Sequence, residues 1–492
     1  MTIIKRRTNL INTTGILKHQ TIRSRSIVFD IVLISFVIAL ITSPVWFDLN
    51  DIIYNSDGLA KYLSRNFIPA QGTQFWLLVP IGIIGAWRWT VWLIKKATAT
   101  VYEAVEPRKI PEDVRGLSFA IITPVYNEDP HIFRNALNSW WENKPDELIA
   151  VIDKSDTECI NVFNDFRKHK PSAKLIVTSK PGKRAALVDG ILASCSDIVA
   201  LVDSDTIWGS NIRDNVLAPF QADPSIGGVT TRQHPISRGS MWQKMTDVFW
   251  DMRNYYDLPA QTAAGRALSC LSGRTSLYRR KILLHKLDFF LNEIIFGRKK
   301  ESGEDKCLTR LVQEQGWKTY YQSNAVVYSS AASDFKTFWS QRLRWSRNSH
   351  NSDFVSLRDG WAWRHPYLAF FMLDRFISTF TLFLGPIFFG IAIANHQWVF
   401  ATFIVLLWII GRGIKIIPHI RRHPQDIVFL PIYVAVNFLV ALTKLYALVT
   451  IRDQRVIRGS KRYRKNLFSK IKDFLLTGEI IFGIIIIVSI FH

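Results

Sequence analysis

Long apolar runs and one long polar region alternate along this chain. Six runs, near residues 27–47, 75–94, 367–394, 397–417, 428–450 and 474–491, are apolar over a spanning length. A helix of about 20 apolar residues is long enough to cross a bilayer. The pattern therefore predicts two blocks of membrane helices that flank the polar region 95–365.

The distribution of Lys and Arg predicts the orientation of these helices. Residues 1–26 carry six Lys or Arg and no acid, whereas the loop 48–74 holds three Asp against one Lys and one Arg. Because cytoplasmic loops are enriched in Lys and Arg, the N-terminus and the region 95–365 are expected in the cytosol. The chain is thus predicted to be a multi-pass protein of the plasma (cell inner) membrane.

The basic segment 452–473 leaves the number of crossings open. It contains nine Lys or Arg and two Asp, so it is expected in the cytosol. If every preceding run crossed the bilayer, this segment would lie outside. The run 428–450 is therefore either a crossing or an interfacial or re-entrant segment, and the total is five or six.

Within the polar region, short β-rich runs alternate with helical patterns. Strands are predicted at 118–125, 147–153, 174–178 and 197–203, all buried on both faces, with helices at about 129–142, 157–169 and 183–195. This alternation predicts a parallel sheet covered by helices, with ligands at the carboxyl ends of the strands.

Polar residues follow three of the predicted strands. They are Thr123-Pro124-Val125-Tyr126-Asn127-Glu128, then Asp153-Lys154-Ser155-Asp156, then Asp203-Ser204-Asp205. A single carboxylate there can simply cap the next helix. Three acidic strand ends in succession indicate a site instead.

Two further groups suit the same site. Asp203 and Asp205 offer the hard oxygen ligands that suit Mg²⁺ or Mn²⁺. Lys183 and Arg184 open a predicted helix just after a glycine, so their charges and the helix N-terminus favour a phosphate. At 303–305, Gly-Glu-Asp precedes another helix, where a carboxylate either begins the helix or acts as a general base.

Composition and cysteine spacing exclude other classes. The formal net charge of +22 comes largely from segments that flank apolar runs, which indicates anionic lipid headgroups and no nucleic acid. The four cysteines show no metal-binding or redox spacing, and free thiols are expected in the cytosol.

The stretch WSQRLRWSRNSH (339–350) combines three arginines with two tryptophans. By itself it is also typical of a basic amphipathic helix on a lipid surface. Arg342 and Arg347 remain candidates for such lipid-facing charges.

Together these motifs resemble the processive membrane glycosyltransferases of the hyaluronan, chitin and cellulose synthase type, in glycosyltransferase family 2. The resemblance covers about residues 100–350. It is carried, in the family's order, by TPVYNE, the Asp153 strand end, GKRAAL, Asp203-Ser-Asp205, LSGRTSLYRR at 271–280, GED at 303–305 and QRLRW at 341–345.

The resemblance implies a fold and a division of the chain. The fold is an α/β nucleotide-sugar-binding domain, Rossmann-like and of the glycosyltransferase A type, inserted in the cytosol between α-helical transmembrane segments. The predicted boundaries are 1–99 for a basic tail and two membrane helices, 100–335 for the catalytic domain, 336–365 for interfacial helices with QRLRW, and 366–492 for the C-terminal membrane region.

The resemblance also implies a role for each site residue. Asp305 is the catalytic base, and Asp203 and Asp205 hold Mg²⁺ or Mn²⁺. The donor, a UDP-sugar, contacts Tyr126, Glu128, Asp153, Lys183, Asp203, Gln341 and Arg344. The acceptor, a growing polysaccharide, contacts Trp345, Cys270, Ser272 and Gly273.

Two positions depart from the pattern of the hyaluronan group. SGR stands where that group usually has SGP, and Val456-Ile457-Arg458-Gly459 stands in place of its WGTR motif.

The predicted function is an inverting, metal-dependent UDP-sugar transferase that extends a β-linked polysaccharide and passes it through the membrane. A transferase of single sugars to a lipid carrier and a transporter without catalysis are the alternatives.

Overall fold

The computed structural model describes residues 84–111, 116–396 and 398–452. The apolar runs 27–47 and 474–491, the loop 48–74, most of the basic segment 452–473 and the motif at 456–459 lie outside the described residues. The described chain divides into two compact units, and the larger, which includes Lys95–Ile391 and continues from Thr402, carries the features discussed below.

The strands are β1 (Phe119–Val125), β2 (Glu147–Asp153), β3 (Ala173–Thr178), β4 (Ile198–Val202), β5 (Ile207–Trp208), β6 (Ile226–Pro235), β7 (Thr275–Arg279), β8 (Ile294–Ile295), β9 (Arg298–Lys299) and β10 (Lys318–Ser329). The helices are α1 (Ile84–Thr100), α2 (Pro130–Glu142), α3 (Thr157–Arg167), α4 (Lys183–Ala193), α5 (Ile212–Ala222), α6 (Met241–Met252), α7 (Leu258–Gly265), α8 (Arg280–Leu284), α9 (Leu287–Asn292), α10 (Glu304–Glu314), α11 (Phe335–Arg358), α12 (Pro366–Ala394), α13 (Trp398–Lys415), α14 (Ile417–Arg422) and α15 (Leu430–Val449). Short 3₁₀ turns occur at Pro107–Lys109, Trp361–Arg364 and Pro424–Phe429, and a π-turn at Arg253–Asp257 joins α6 to α7.

One eight-stranded sheet, in the order β3-β2-β1-β4-β7-β6-β10-β5, forms the centre of the fold. The first four strands are parallel neighbours, as predicted. Beyond these four strands, for which alone the sequence predicted a parallel arrangement, the sheet is mixed, because β7 runs antiparallel to both β4 and β6. The reversed strand brings its amino end to the edge where β1 and β4 have their carboxyl ends.

Burial differs between the central and the outer strands. Every residue of β4 and nearly every residue of β1 and β2 is buried, as predicted. The same prediction is wrong for β3, where the Val177 side chain is 52% exposed. Because β3 is the last strand of the sheet, only part of it is covered by helices.

Helices cover both faces of the sheet. On one face, side chains of α2, α3 and α5, including Phe133, Trp140 and Phe163, pack on β1 and β2. On the other face, α4, α9 and α10 contribute Leu187, Phe290 and other apolar side chains to a second core. Because the helices cover the two faces of the sheet, the carboxyl ends of the strands remain accessible for a binding site.

The predicted interfacial segment 336–365 contains α11, a single helix of 24 residues, followed by a 3₁₀ turn. Among the described residues, Pro366–Ala394 and Pro424–Val449 are long and apolar enough to cross a membrane. They coincide with the predicted runs 367–394 and 428–450.

Candidate active site at the strand ends

The polar strand ends lie together because of the sheet order. The ends of β1 and β4 are joined by a hydrogen bond of 2.8 Å from Ser204 Oγ to Glu128 Oε2. Thr275, the first residue of β7, pairs with Val202, the last residue of β4. Asp203, which follows β4, and the segment Ser272-Gly273-Arg274, which precedes β7, therefore lie at the same edge of the sheet.

Lys183 connects two parts of the site that are far apart in sequence. It is the first residue of α4, after Gly182 with a φ of 99°. Its Nζ lies 2.6 Å from Asp203 Oδ1 and 2.6 Å from Glu304 Oε1. A small cavity beside these groups is lined by Pro124, Lys183, Leu187, Leu201, Val202, Asp203, Gly273, Ser276, Glu304, Asp305 and Leu308.

The carboxylates of this site carry an excess of negative charge. Burial raises the pKa of Asp203 and the charge of Asp205 raises it further, although Lys183 opposes both effects. Among the described residues, the hydrogen bonds to Asp205 are long, at 3.4 Å from Ser329 Oγ to each carboxylate oxygen and at 3.5 Å from Thr206 Oγ1 to Oδ1. Two neighbouring carboxylates with hard oxygens and unused acceptor capacity fit a divalent cation.

Glu304 and Asp305 begin α10, and their side chains have different neighbours. Burial alone would raise the pKa of Glu304, but Lys183 holds it well below its usual range, and the charge of Arg344 adds to this effect. Asp305 Oδ2 accepts a hydrogen bond of 3.3 Å from Cys270 Sγ. Burial and the Asp305 charge raise the pKa of the Cys270 thiol to about 12, so this cysteine stays protonated near neutral pH.

The predicted acceptor segment lies directly against the predicted donor side. A methyl group built on Gly273 would lie 3.5 Å from Lys183 Nζ and 3.7 Å from both carboxylate oxygens of Asp203. Cys270 and Ser272 are buried beside it. The structure thus brings Lys183, Asp203, Asp305, Cys270 and Gly273 together.

The other predicted donor residues do not line this cavity. Tyr126 is 61% exposed just after β1. Asp153, at the end of β2, accepts hydrogen bonds from the backbone N–H and the hydroxyl of Ser155, which lower its pKa. Gln341 and Arg344 are half-buried in the first half of α11.

Trp345 has two cations against its ring. The Cζ atoms of Arg274 and Arg342 each lie 5.4 Å from its centroid. Arg342 also stacks on Phe249 at 4.1 Å, and Arg274 on Trp250 at 4.1 Å. The predicted sugar platform is therefore part of an aromatic cluster that already holds two guanidinium groups.

Three arginines do not have the roles that the sequence suggested. Arg184 is buried, and its guanidinium donates to Glu293 Oε2 at 2.7 Å and to the Phe290 carbonyl, so it is unavailable to a phosphate. Arg347 donates to Thr450 Oγ1 at 3.0 and 2.8 Å. With Arg342 in the aromatic cluster, neither Arg342 nor Arg347 is a lipid-facing charge.

Several neighbours of the site were missed from the sequence. The sequence offers Glu304 either as a helix start or as a general base and does not predict its ion pair with Lys183, and it gives Arg274 and Trp250 no role. The departure SGR was the available signal for Arg274, since a cation after Ser272-Gly273 lies beside the strand-end carboxylates. Nothing local marks Trp250, which reaches the site through the packing of α6.

A second polar cluster joins the carboxyl end of β6 to α6 and α14. His234, Asp247 and Asp251 present ligand atoms within 4.8 Å of one another. The guanidinium of Arg422 already forms ion pairs with both carboxylates, and His419 Nδ1 lies 2.7 Å from Asp251 Oδ2. This cluster is a buried ion-pair network with its own cation. All four cysteines are free, as expected.

Comparisons with known proteins find relatives of similar sequence and a solved structure of similar fold. Residues 116–348 match a family model described as glycosyltransferase like family 2. A type 2 glycosyltransferase of Pyricularia oryzae is 26% identical over 359 residues, which are 67% of this chain and 72% of the relative. An N-acetylglucosaminyltransferase of Rhizobium meliloti is 28% identical over 370 residues, which are 72% of this chain and 83% of the relative.

A hyaluronan synthase of Streptococcus pyogenes is 24% identical over 385 residues, 76% of this chain and 89% of the relative. Among solved structures, the mannosyltransferase PcManGT of Pyrobaculum calidifontis, in complex with GDP-Man and Mn²⁺, is similar with a TM-score of 0.50 and 18% identity. The similarity covers 75% of this chain and 97% of that chain. At this identity it shows the fold alone, and the predicted α/β nucleotide-sugar-binding fold is confirmed.

Proposed function

We propose that this chain, which contains a glycosyltransferase family 2 domain over residues 116–348, is an inverting UDP-sugar transferase that extends a β-linked polysaccharide. The observation that carries the proposal is the convergence of Lys183, Asp203, Glu304 and Asp305 around one cavity. A cation and a base beside paired carboxylates are the groups that transfer from a sugar diphosphate needs.

On the donor side, Lys183 is positioned to receive the diphosphate. In the ligand-free arrangement its ammonium group neutralises Asp203 and Glu304. When a diphosphate and a divalent cation bind, Lys183 would turn from the carboxylates to phosphate oxygens, and the carboxylates would face the metal. Arg344 supplies a planar fork that binds phosphate without losing its charge.

Asp203 and Asp205 are the residues that would hold Mg²⁺ or Mn²⁺. When bound, the cation neutralises the charge that develops on the leaving diphosphate. Glu128 supports this position through its hydrogen bond with Ser204, between the two aspartates. Tyr126 and Asp153, at the ends of β1 and β2, are placed to border the uridine.

Asp305 acts as the base in the transfer. It takes the proton of an acceptor hydroxyl, and the oxygen attacks the anomeric carbon of the donor sugar. The new carbon–oxygen bond forms as the bond from that carbon to the diphosphate breaks, and UDP leaves with the electron pair. Attack from the opposite side inverts the configuration, which gives a β-linkage from an α-linked donor.

Processive synthesis at the plasma membrane is the finer part of the proposal. Trp345 lies on α11, which leads through the 3₁₀ turn at Trp361–Arg364 into the apolar segment Pro366–Ala394. A transferase at the start of membrane helices can pass a growing chain directly into the bilayer region. The catalytic domain would lie in the cytosol, and the product would leave through the membrane segments.

The test is nucleotide release by the purified full-length protein, supplied with Mg²⁺ or Mn²⁺ and a panel of UDP- and GDP-sugars. Asp305→Asn is the inactive control, and Asp189→Asn, which removes a surface carboxylate paired with Lys180, is the matched control. Release that depends on one sugar nucleotide and on Asp305, with a long product that linkage-specific hydrolases degrade, supports the proposal.

Each alternative gives a different result in the same experiment. A transferase to a lipid carrier releases nucleotide but forms a product of one sugar, which extracts with lipid. A transporter without catalysis releases no nucleotide with any sugar nucleotide. Either result overturns the polysaccharide synthase assignment.

A further inference from the structure

Arg184 and Arg310 share one buried carboxylate, that of Glu293. Glu293 Oε2 accepts a hydrogen bond of 2.7 Å from Arg184 Nη2, and Glu293 Oε1 accepts one of 2.7 Å from Arg310 Nη2. The three side chains are at most 6% exposed, and we call them the buried triad. Burial alone would raise the pKa of Glu293, but the two arginines hold it below its usual range. The carboxylate is therefore ionised and paired on both oxygens.

The buried triad joins two helices that carry residues of the proposed site. Arg184 follows Lys183 directly at the start of α4, and Arg310 lies on α10, the helix that begins with Glu304 and Asp305. Consecutive side chains of a helix project about 100° apart. Lys183 accordingly lines the cavity, whereas Arg184 points to α9, which Glu293 follows.

Arg184 also contacts the backbone that leads into α10. Its Nη1 donates to the Phe290 carbonyl at 2.7 Å, and its Nη2 donates to the Ser302 carbonyl at 3.4 Å. Ser302 precedes Gly303, and its Oγ donates to Asn348 Oδ1 on α11 at 3.0 Å. The start of α10 is therefore held from α4 on one side and from α11 on the other.

A second link between the same two helix starts lies on the cavity side. Lys183 Nζ pairs with Glu304 Oε1 at 2.6 Å. In the proposed reaction this ammonium group turns to the diphosphate, so the link is lost when the donor binds. The residues of the buried triad do not line the cavity, and the donor therefore leaves their ion pairs in place.

A buried ion network of this kind contributes orientation more than stability. Its replacement by well-packed apolar residues of similar volume is often neutral or even stabilising. The planar forks of two arginines, by contrast, fix the direction and distance of each partner. Such precision matters beside a reacting group, because a displacement of about 1 Å can lower the rate roughly 100-fold.

We propose that the residues of the buried triad are positioning residues, which keep Asp305 at its distance from the donor diphosphate after Lys183 has left Glu304. The triad acts through α4 and α10 and contacts neither donor nor acceptor. This inference deepens the proposed function and rests on its assignment of Lys183 to the diphosphate and of Asp305 to the acceptor proton. It gives a role to Arg184, the charge beside Lys183 that is unavailable to a phosphate.

The first experiment measures hydrogen exchange in the first hydrogen-bonded turn of α10, residues 307–310, in the full-length protein without nucleotide. Lys183→Gln removes the link on the cavity side. A triple variant, Arg184→Met with Glu293→Leu and Arg310→Met, replaces the buried triad by apolar side chains, which limits the loss of stability. Each of these variants should exchange nearly as slowly as the wild type, because the other link remains. Their combination should exchange roughly tenfold faster or more, since both links are lost together.

Three results of this experiment would overturn the inference. Fast exchange in Lys183→Gln alone shows that the buried triad does not hold the start of α10. Fast exchange in the triple variant, with Lys183 intact, assigns the triad to folding only. Slow exchange in the combined variant shows that neither link holds this turn. If the triple variant does not fold, Arg184→Lys takes its place, because it keeps the charge without the planar fork.

The second experiment measures transfer for each UDP-binding site. Calorimetry with UDP and Mn²⁺ counts the competent sites, and initial rates then give kcat per site and the KM for the donor. Arg184→Lys should lower kcat per site roughly tenfold to 100-fold, because Asp305 is misplaced, with little change in KM or in the UDP dissociation constant. A role in folding alone would lower the number of sites and leave kcat per site at the wild-type value, and this result would overturn the inference.

Arg279→Lys is the matched control for both experiments. Arg279 is a half-buried arginine that donates to the carbonyls of Ile226 and Phe220 at 2.8 Å each. It is the last residue of β7, at the opposite end from Thr275 and the proposed site. The variant should keep the wild-type kcat per site and the wild-type exchange of residues 307–310.

The two experiments separate this inference from the proposed function, because hydrogen exchange needs neither a sugar nucleotide nor turnover. If no sugar nucleotide releases UDP but only the combined variant exchanges fast, the transferase assignment fails and the connection between the helix starts stands. If UDP is released and Arg184→Lys keeps the wild-type kcat per site, the transferase assignment stands and the positioning role fails.

Discussion

At the residue scale, adjacent charged groups of this site have different partners and therefore different expected roles. Glu304 and Asp305 are consecutive, yet Glu304 pairs with Lys183 while Asp305 accepts from Cys270. Glu304 balances the charge of Lys183. Asp305, which lies beside the acceptor segment, remains available to take a proton.

Replacement of Asp305 by Asn should remove the proposed base. Transfer is expected to fall by a factor on the order of 10²–10⁴, the usual contribution of a positioned base, while UDP affinity stays near the wild-type value. Steady-state release of UDP and equilibrium UDP binding are measured on the same preparation. Transfer near the wild-type rate in this variant would exclude Asp305 from the mechanism.

The two aspartates at the end of β4 should differ in their effects. Asp205→Ala is expected to abolish metal-dependent UDP binding because a hard cation loses its main ligand. Asp203→Asn should be milder, since Asp203 shares its charge with Lys183 and we expect it to support Asp205 as a metal ligand. UDP binding is titrated with and without Mn²⁺. Wild-type activity that persists in a chelator would contradict the metal assignment for both residues.

Arg344 and Trp345 are neighbours on α11, but their side chains project about 100° apart. Arg344→Ala should weaken UDP binding through loss of a phosphate contact. Trp345→Ala should leave UDP affinity near normal and shorten the product, because the aromatic surface of the acceptor side is removed. Equal losses of UDP binding in both variants, together with lower thermal stability, would indicate that this stretch is a membrane-surface helix without a selective role in binding donor or acceptor.

At the element scale, the position of α10 depends on the turn before it. Gly303 has a φ of 80°, a conformation that other residues rarely adopt. A methyl group there would also lie 2.9 Å from Cγ of Asn348 on α11, whose Oδ1 accepts a hydrogen bond of 3.0 Å from Ser302 Oγ. The start of α10 and the middle of α11 are therefore fitted to each other at Gly303.

Gly303→Ala should lower the free energy of unfolding by about 1–3 kcal/mol, through backbone strain and contact with Asn348. It should reduce transfer more than it reduces UDP binding, because Asp305 is displaced. The double variant with Asn348→Ala removes the steric contact but keeps the strained φ, so it should recover only part of the stability. Urea unfolding and UDP release are measured for the three proteins. A single variant with wild-type stability and activity would show that this turn does not position the base.

At the scale of the whole molecule, buried ionisable groups join the catalytic domain to the C-terminal helices. His350 on α11 is buried, stacks on Phe376 of α12 at a centroid distance of 5.4 Å, and lies near Lys306, Arg375 and Lys444. Burial lowers the pKa of His350 to about 3, and the neighbouring cations add to the fall. His234 in the ion-pair network has its pKa lowered by burial and by Arg422.

These histidines make the stability of the fold depend on pH. Each has a lower pKa in the folded protein than in the unfolded chain, where a histidine takes up a proton below about pH 6.5. The stability that each histidine contributes is fully present above about pH 6.5 and is lost as the pH falls below that value. For His350, whose pKa in the folded protein is about 3, the loss amounts to roughly 1.4 kcal/mol at pH 5.5.

His350→Phe should retain the stacking on Phe376 and reduce the loss of stability between pH 7.5 and 5.5 by about 1 kcal/mol. Urea unfolding is followed at both pH values. His131→Gln, at an exposed position in α2, is the control and should keep the wild-type dependence. A loss of stability in His350→Phe equal to that of the wild type would exclude His350 as a source of the pH dependence.

Much of the site was predictable because it depends on short-range patterns. Runs of β-branched residues mark β1, β2 and β4, and the observed limits of β2, Glu147–Asp153, are the predicted ones. Carboxylates that follow buried strands must reach one edge when the strands are parallel. The sequence alone therefore placed Asp203 at the candidate site, its resemblance to a known family added Lys183 and Asp305, and its apolar runs predicted that membrane-length segments follow.

The tertiary structure decided which groups face each other. Lys183 and Glu304 are far apart in sequence, so no spacing predicts their ion pair. The reversal of β7 places Arg274 beside Asp203, and the edge position of β3 exposes Val177, because both depend on the order of strands in the sheet. Arg184 and Lys183 look alike as neighbours at a helix start, yet one is buried against Glu293 and the other faces the cavity. Periodicity sets the face on which a side chain lies, but the partner that it meets depends on elements brought together by the fold.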